Sequence, residues 1–171
     1  RLRTAGPPAA AARVDAPVPL DRISPYLVCA VVKAEDRAFF DHRGIDWGQL
    51  RKAAGLALRG GAGMGGSTIS QQAARNLFLG PERSLVRKAR ETLIARRMEE
   101  VLGKRRVLEV YLNTIEWGDG VWGVGAASRA YLGADPAELD AFEGAFLASL
   151  VAAPRRPLEG ANRARAEGVH R

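Results

Sequence analysis

Cysteine is nearly absent: Cys29 stands alone among 171 residues. No intrachain disulfide can form, and the redox compartment stays open. Histidine is almost as scarce, with His42 and His170 far apart in the chain. One cysteine and two distant histidines offer no zinc pattern. No run of 18 apolar residues exists, so no segment of this sequence reads as a membrane span. The first residue is Arg1 rather than Met, and the expectation is a fragment or processed form from which an N-terminal anchor is missing. Aromatic residues are few, with three Trp, three Tyr and five Phe. That leaves little for the stacking platform of a single-strand nucleic-acid binder. No internal repeat and no convincing alternating strand occurs, so the class is all-α with at most a minor hairpin.

What is present suits one domain with a core: 47% of residues are hydrophobic. Formal net charge is +7 and the pI about 10.3, which calls for an anionic partner such as a phosphorylated substrate, anionic lipid or nucleic acid. Residues 1–23 carry four prolines and read as an extended arm, with the domain proper over 24–171. Ser24-Pro25 predicts a helix start, and that helix is expected to reach about Asp41. Asp46 is expected to cap a second helix to about Arg59. Thr68 with Gln71 forms a capping box for a third. Ser84 opens a long helix that Gly103 stops, and Lys104 to about Ile115 forms another. Glycines at 118, 120, 123 and 125 mark a turn-rich loop. A short helix over Ala126–Tyr131, a helical turn at Asp135-Pro136 and a last helix after Asp140 complete the expected order.

The chemistry centres on Glu35. Helical spacing places it on one stripe with Val28, Val31, Ala38 and Phe39. A carboxylate on an apolar stripe is either a helix-edge residue that reaches a partner or solvent, or a general acid or base in an apolar cleft. Glu91 is a second carboxylate, on one helical face with Arg83, Arg87 and Lys88. A solvated salt-bridge face would give the same pattern. From Arg83 to Arg106 nine basic residues face three acidic ones. Such a cluster suits a diphosphate, and a nucleic-acid backbone too. Two carboxylates are the economy of glycosidic chemistry. A diphosphate leaving group departs as an anion, so cations replace the acid and only a base is still needed. The Gly60–Gly66 stretch ahead of Thr68 reads as a surface linker or a mobile flap.

Five motifs then carry a resemblance. Glu35-Asp36, Phe39, His42 and Gly44 resemble the EDxxFxxHxG motif of the peptidoglycan glycosyltransferases, the family-51 glycosyltransferases. Gly65 to Gln72 resembles that family's GGSTI(S/T)QQ motif, and Arg75-Asn76-Leu77-Phe78 its (K/R)NLF continuation. Arg87-Lys88 with Glu91 resembles RKxxE, and Val107 to Asn113 resembles ILExYLN. Glu116 to Val121 is similar to the EWGDGV stretch of the monofunctional biosynthetic transglycosylases. Arg75 stands where the family often has Lys, Met64 where Gln is common, and Leu132 where an aromatic is common.

The resemblance implies a lysozyme-like all-α fold with a larger head lobe and a smaller membrane-facing jaw. It implies inverting polymerisation of lipid II into glycan strands, with release of polyprenyl diphosphate. By position, Glu35 is the general base, Asp36 supports it, and Glu91 assists at the donor side by orienting cations or the leaving diphosphate. Arg75, Arg83, Arg87 and Lys88 hold the donor phosphates. Ser67, Thr68, Gln71, Gln72 and Asn76 complete the substrate contacts. No cofactor is obligatory, and a divalent cation (Mg or Mn) at the donor diphosphate is the one accessory left open. The partners implied are lipid II, the nascent strand, the membrane surface and other cell-wall synthesis proteins, with no nucleic acid. The place implied is the outer, periplasmic face of a bacterial inner membrane. Jaw residues from about Leu50 to Met64 would then present apolar surface to the bilayer. A lysozyme-like or lytic enzyme acting on finished peptidoglycan is the alternative, and a helical nucleic-acid-binding domain a third.

Overall fold

The structure, a computed structural model, describes residues 16–59, 66–80, 82 and 84–152. Helix α1 spans Pro25–Glu35, α2 Trp47–Leu58, α3 Ile69–Phe78 and α4 Leu85–Thr114. Strands β1 (Glu116–Gly118) and β2 (Val121–Trp122) follow, then α5 (Val124–Leu132) and α6 (Ala141–Val151). The class is all-α, with one two-stranded antiparallel hairpin among the described residues. No described helix is long and apolar enough to cross a membrane.

Local chemistry starts these helices where the residue types predict. The Ser24 hydroxyl accepts from the Tyr26 N–H at 3.3 Å. Asp46 accepts from Gln49 N–H at 2.9 Å, and Ser84 from Arg87 N–H at 3.0 Å. Thr68 with Gln71, and Asp140 with Glu143, both make reciprocal capping boxes. Each satisfies amide donors that the first helical turn leaves orphaned. At Gly103 the backbone leaves helical geometry (φ 74°, ψ 161°), so α4 is two helices joined by a kink. A glycine is needed there because that region of backbone space excludes a Cβ.

The chain divides into two compact units, Arg1–Glu35 with Leu112–Arg171 and Asp36–Tyr111. In the first, α1 packs on α6. Leu27, Ala30 and Val31 of α1 are buried, as are Gly144, Ala145, Leu147, Ala148 and Leu150 of α6. Gly144 sets the spacing: a Cβ there would meet the Leu27 backbone N at 2.8 Å and Cα at 3.0 Å. The chain before α1 is tied down. Val18 N–H donates to the Asn113 side chain at 2.8 Å, the Asn113 amide donates back to Val18 O, and Ser24 Oγ donates to Leu139 O. Buried Trp117 in β1 donates its indole N–H to Leu112 O at 3.2 Å.

Two expected elements differ. The first helix ends at Glu35, six residues before Asp41. Its backbone turns instead through Phe39 N–H to Asp36 O and Asp41 N–H to Ala38 O. Ala38 and Phe39 therefore lie off the helix, and the stripe through Glu35 is Val28 and Val31 alone. The segment after Asp135 forms a turn closed by Glu138 N–H on Asp135 O, rather than a further turn of helix.

Candidate active site

Within the Asp36–Tyr111 unit, the N-terminus of α3 and the first turns of α4 gather most of the expected residues. Glu91 is 0% exposed. Arg87 Nη1 donates to one of its oxygens at 2.8 Å, and Lys88 Nζ donates to the other. The carboxylate is therefore enclosed and both its oxygens hold cations, while the Lys88 side chain stays 38% exposed. Lys88 Nζ also donates to Ser67 Oγ at 2.9 Å, which ties α4 to the segment before α3. Arg87 Nε is the one buried side-chain nitrogen or oxygen among the described residues without a hydrogen-bond partner. A buried, unpartnered donor on a guanidinium asks for an acceptor.

Asp36 is buried and committed to structure. Its Oδ2 accepts from Ile69 N–H at 3.0 Å, the first amide of α3, and from His42 Nε2 at 2.9 Å. A carboxylate at a helix N-terminus meets both free amides and the positive end of the helix dipole. This bond explains why α1 stops: carrying Asp36 to α3 takes the backbone out of helical register. Gly44 closes the same turn. Its φ is +77°, and a Cβ there would lie 3.0 Å from both the Cα and N of Arg96.

Thr68 and Gln71 make internal bonds. They are 2% and 4% exposed. The Thr68 hydroxyl donates to Gly44 O at 2.7 Å and accepts from Gln71 N–H. Gln71 accepts from Thr68 N–H and donates to Thr92 Oγ1 at 3.0 Å. Thr68 thus ties the start of α3 to Gly44, and Gln71 ties α3 to α4. Gln72 accepts from buried Tyr111 Oη at 3.2 Å. Arg75 is half-buried in the last turn of α3, and Asn76 beside it is exposed. Arg83 and the Gly60–Gly65 stretch lie outside the described residues. Glu35 belongs to the other unit, half-buried at the C-terminus of α1.

Four residues around this corner were not singled out by spacing: Ser70, Thr92, Glu99 and Lys104. Ser70 Oγ donates to Glu99, and Lys104 Nζ donates to Glu99 at 2.7 Å. Ser70 and Thr92 meet partners 29 and 21 residues away, and Glu99 and Lys104 are five apart, off any helical repeat, so periodicity carries no signal for them. His42 carried one, through its place in the first motif.

A family model described as Transglycosylase matches residues 6–170. Curated relatives carry the name biosynthetic peptidoglycan transglycosylase. That of Aromatoleum aromaticum is 50% identical over 140 residues, covering 81% of this chain and 61% of the relative. That of Azoarcus sp. (strain BH72) is 49% identical over 140 residues, with the same coverage. That of Rhodospirillum centenum is 48% identical over 139 residues, covering 81% and 60%. The chain thus spans about three-fifths of the length of the curated relatives it matches.

Proposed function

The chain belongs to the transglycosylase family, and from that premise we propose that it polymerises lipid II into peptidoglycan glycan strands. The relatives' name, biosynthetic peptidoglycan transglycosylase, supports the reading. The observation that carries it is enclosed Glu91, with Arg87 and Lys88 on its two oxygens and an unpartnered donor on Arg87. An acid that protonates a leaving group needs an oxygen free to face it. Glu91 has neither oxygen free, and instead fixes two cations. Fixed cations suit a leaving group that is already an anion.

In the reaction, a sugar hydroxyl of one substrate attacks the anomeric carbon of the other from the face opposite the diphosphate. The new carbon–oxygen bond forms as the bond to the phosphate oxygen breaks. Its electron pair leaves with the polyprenyl diphosphate, and the configuration inverts. Glu35 takes the hydroxyl proton as general base. Arg75, Arg83, Arg87 and Lys88 receive the diphosphate, and Ser67 holds Lys88 in place. Gln72 and Asn76 contact the sugars. Among the described residues no cluster of three or more His, Cys, Asp or Glu forms a metal-binding group. No cofactor is obligatory in this reading, and a divalent cation that assists would ride on the substrate's diphosphate.

A polyprenyl-linked substrate is met at a bilayer surface. Trp47 (61% exposed), Leu50 and Leu56 of α2, with Leu77 and Phe78 at the end of α3, offer apolar side chains to that surface. The working place is the outer face of the inner membrane, beside other cell-wall synthesis proteins. The test is incubation with labelled lipid II, with and without a phosphoglycolipid inhibitor, and separation of products by length. Wild-type protein is expected to give long, inhibitor-sensitive strands. Glu35→Gln is expected to lose activity by at least about 100-fold with its circular dichroism unchanged. Soluble fragments from finished cell wall, with no polymer from lipid II, would select the lytic alternative.

A further inference from the structure

We propose that Lys104 is a positioning residue of the transfer reaction, holding through His42 the carboxylate that directly follows Glu35. The proposal rests on the function argued above. Its ground is a closed ring of bonds inside the Asp36–Tyr111 unit. Ile69 N–H donates to Asp36 at 3.0 Å, and His42 Nε2 donates to the same oxygen at 2.9 Å. Lys104 Nζ lies 3.4 Å from His42 Nδ1 and donates to Glu99 at 2.7 Å. Ser70 Oγ donates to Glu99. The ring therefore starts and ends on consecutive residues of α3. Lys104 Nζ also sits 4.4 Å from the ring centroid of fully buried Phe39, a cation–π contact.

The direction of each bond follows. An ammonium only donates, so His42 Nδ1 accepts and its proton stays on Nε2, pointed at Asp36. Lys104 thus selects the tautomer that lets His42 hold Asp36. Asp36 directly follows Glu35, so this hold acts one peptide bond from the proposed base. The same second-sphere logic orients catalytic imidazoles and ligands elsewhere.

The ring also depends on the kink. In an unbroken helix, residues five apart lie about 140° apart around the axis and do not meet. Glu99 and Lys104 are five apart and in contact. The break at Gly103 (φ 74°, ψ 161°) is what brings Lys104 back over Glu99. A Cβ on Gly103 would meet nothing within 4 Å, so its need is conformational, not steric.

Two readouts test the proposal, on the full chain. The first is the nitrogen chemical shifts of His42, read in a His170→Gln background where it is the only imidazole. Wild-type Lys104 is expected to show a single Nε2–H tautomer, and Lys104→Met a mixture. The second is lipid II polymerisation. Lys104→Met is expected to lower kcat about 10- to 100-fold with KM within twofold, and Lys104→Arg to restore part of the loss. If Lys104→Met does not fold, Lys104→Gln takes its place in both arms. An unchanged tautomer, an unchanged kcat, or a loss seen mainly in KM would overturn the proposal. Wild-type protein that fails to polymerise lipid II would refute the function instead, and with it the catalytic role. The nitrogen shifts would still decide whether Lys104 holds His42.

Discussion

Replacing Gly144 by alanine adds one methyl group, and its cost is set entirely by what that methyl meets. The new Cβ would lie 2.8 Å from Leu27 N, 3.0 Å from Leu27 Cα and 3.1 Å from Tyr26 C. All three are backbone atoms of α1, so no side chain can swing aside. The methyl must push α1 and α6 apart along a contact that buries Leu27, Val31, Leu147 and Ala148. Overpacking of this kind costs about 1–3 kcal/mol, and rigid neighbours put it at the upper end. In the other direction, alanine gains about 0.5–1 kcal/mol over glycine inside a helix. The net expectation is a loss of about 2 kcal/mol, or about 4–8 °C in Tm for a chain of this size. Gly133→Ala is the control in the same unit. Gly133 has φ +66° but nothing within 4 Å of its would-be Cβ, so only backbone strain of about 1–2 kcal/mol applies. Urea unfolding followed by circular dichroism reads each loss from its midpoint at constant slope. Because Glu35 ends α1, Gly144→Ala should also reduce polymerisation more than Gly133→Ala does. A Gly144→Ala protein as stable as wild type would refute the close-approach argument, because it would mean α1 shifts at no cost.

Thr68→Ala removes a helix cap and the bond to Gly44 O together, and is expected to cost about 2 kcal/mol in urea unfolding; a cost below about 0.5 kcal/mol would contradict the buried geometry. Burial pushes the Tyr131 hydroxyl above its ordinary pKa of 10.0, with Asp119 and Glu116 adding to the shift. The unfolded chain therefore loses this proton first, so the contribution is full below pH 10 and is lost as pH rises through the folded value. Tyr131→Phe should flatten that alkaline limb, and an identical pH dependence of stability would count against it. Trp47→Asp with Leu56→Asp should abolish cosedimentation with anionic liposomes, and undiminished cosedimentation would remove α2 from the membrane contact.

Helix starts were legible in the chain because a cap is a contact over three residues. Ser24, Asp46, Thr68, Ser84 and Asp140 each accept from an amide two or three positions on. The break at Gly103 was legible for a like reason, since only glycine is at ease in that backbone region. The motif residues also named the corner where Arg87, Lys88, Glu91 and Ser67 meet. What each one does there was a different matter. Thr68 and Gln71 share a motif with Ser67, yet their bonds close inward, which no spacing reveals. The end of α1 at Glu35 was equally out of reach, because it depends on an amide at Ile69, 33 residues on. Glu91 could have faced water or the interior, and periodicity is the same for both.

Sequence alone therefore determined where the capped helices start, the break at Gly103, the family and the stock of charges, since the caps and the break rest on interactions within a turn or two of chain. Tertiary structure alone decided which charges are enclosed, which glycines are places of close approach, and that Ile69, Asp36, His42, Lys104, Glu99 and Ser70 form one ring. Three of those contacts join residues 29 to 62 positions apart. Burial and hydrogen-bond geometry there are properties of packed elements, not of any one segment.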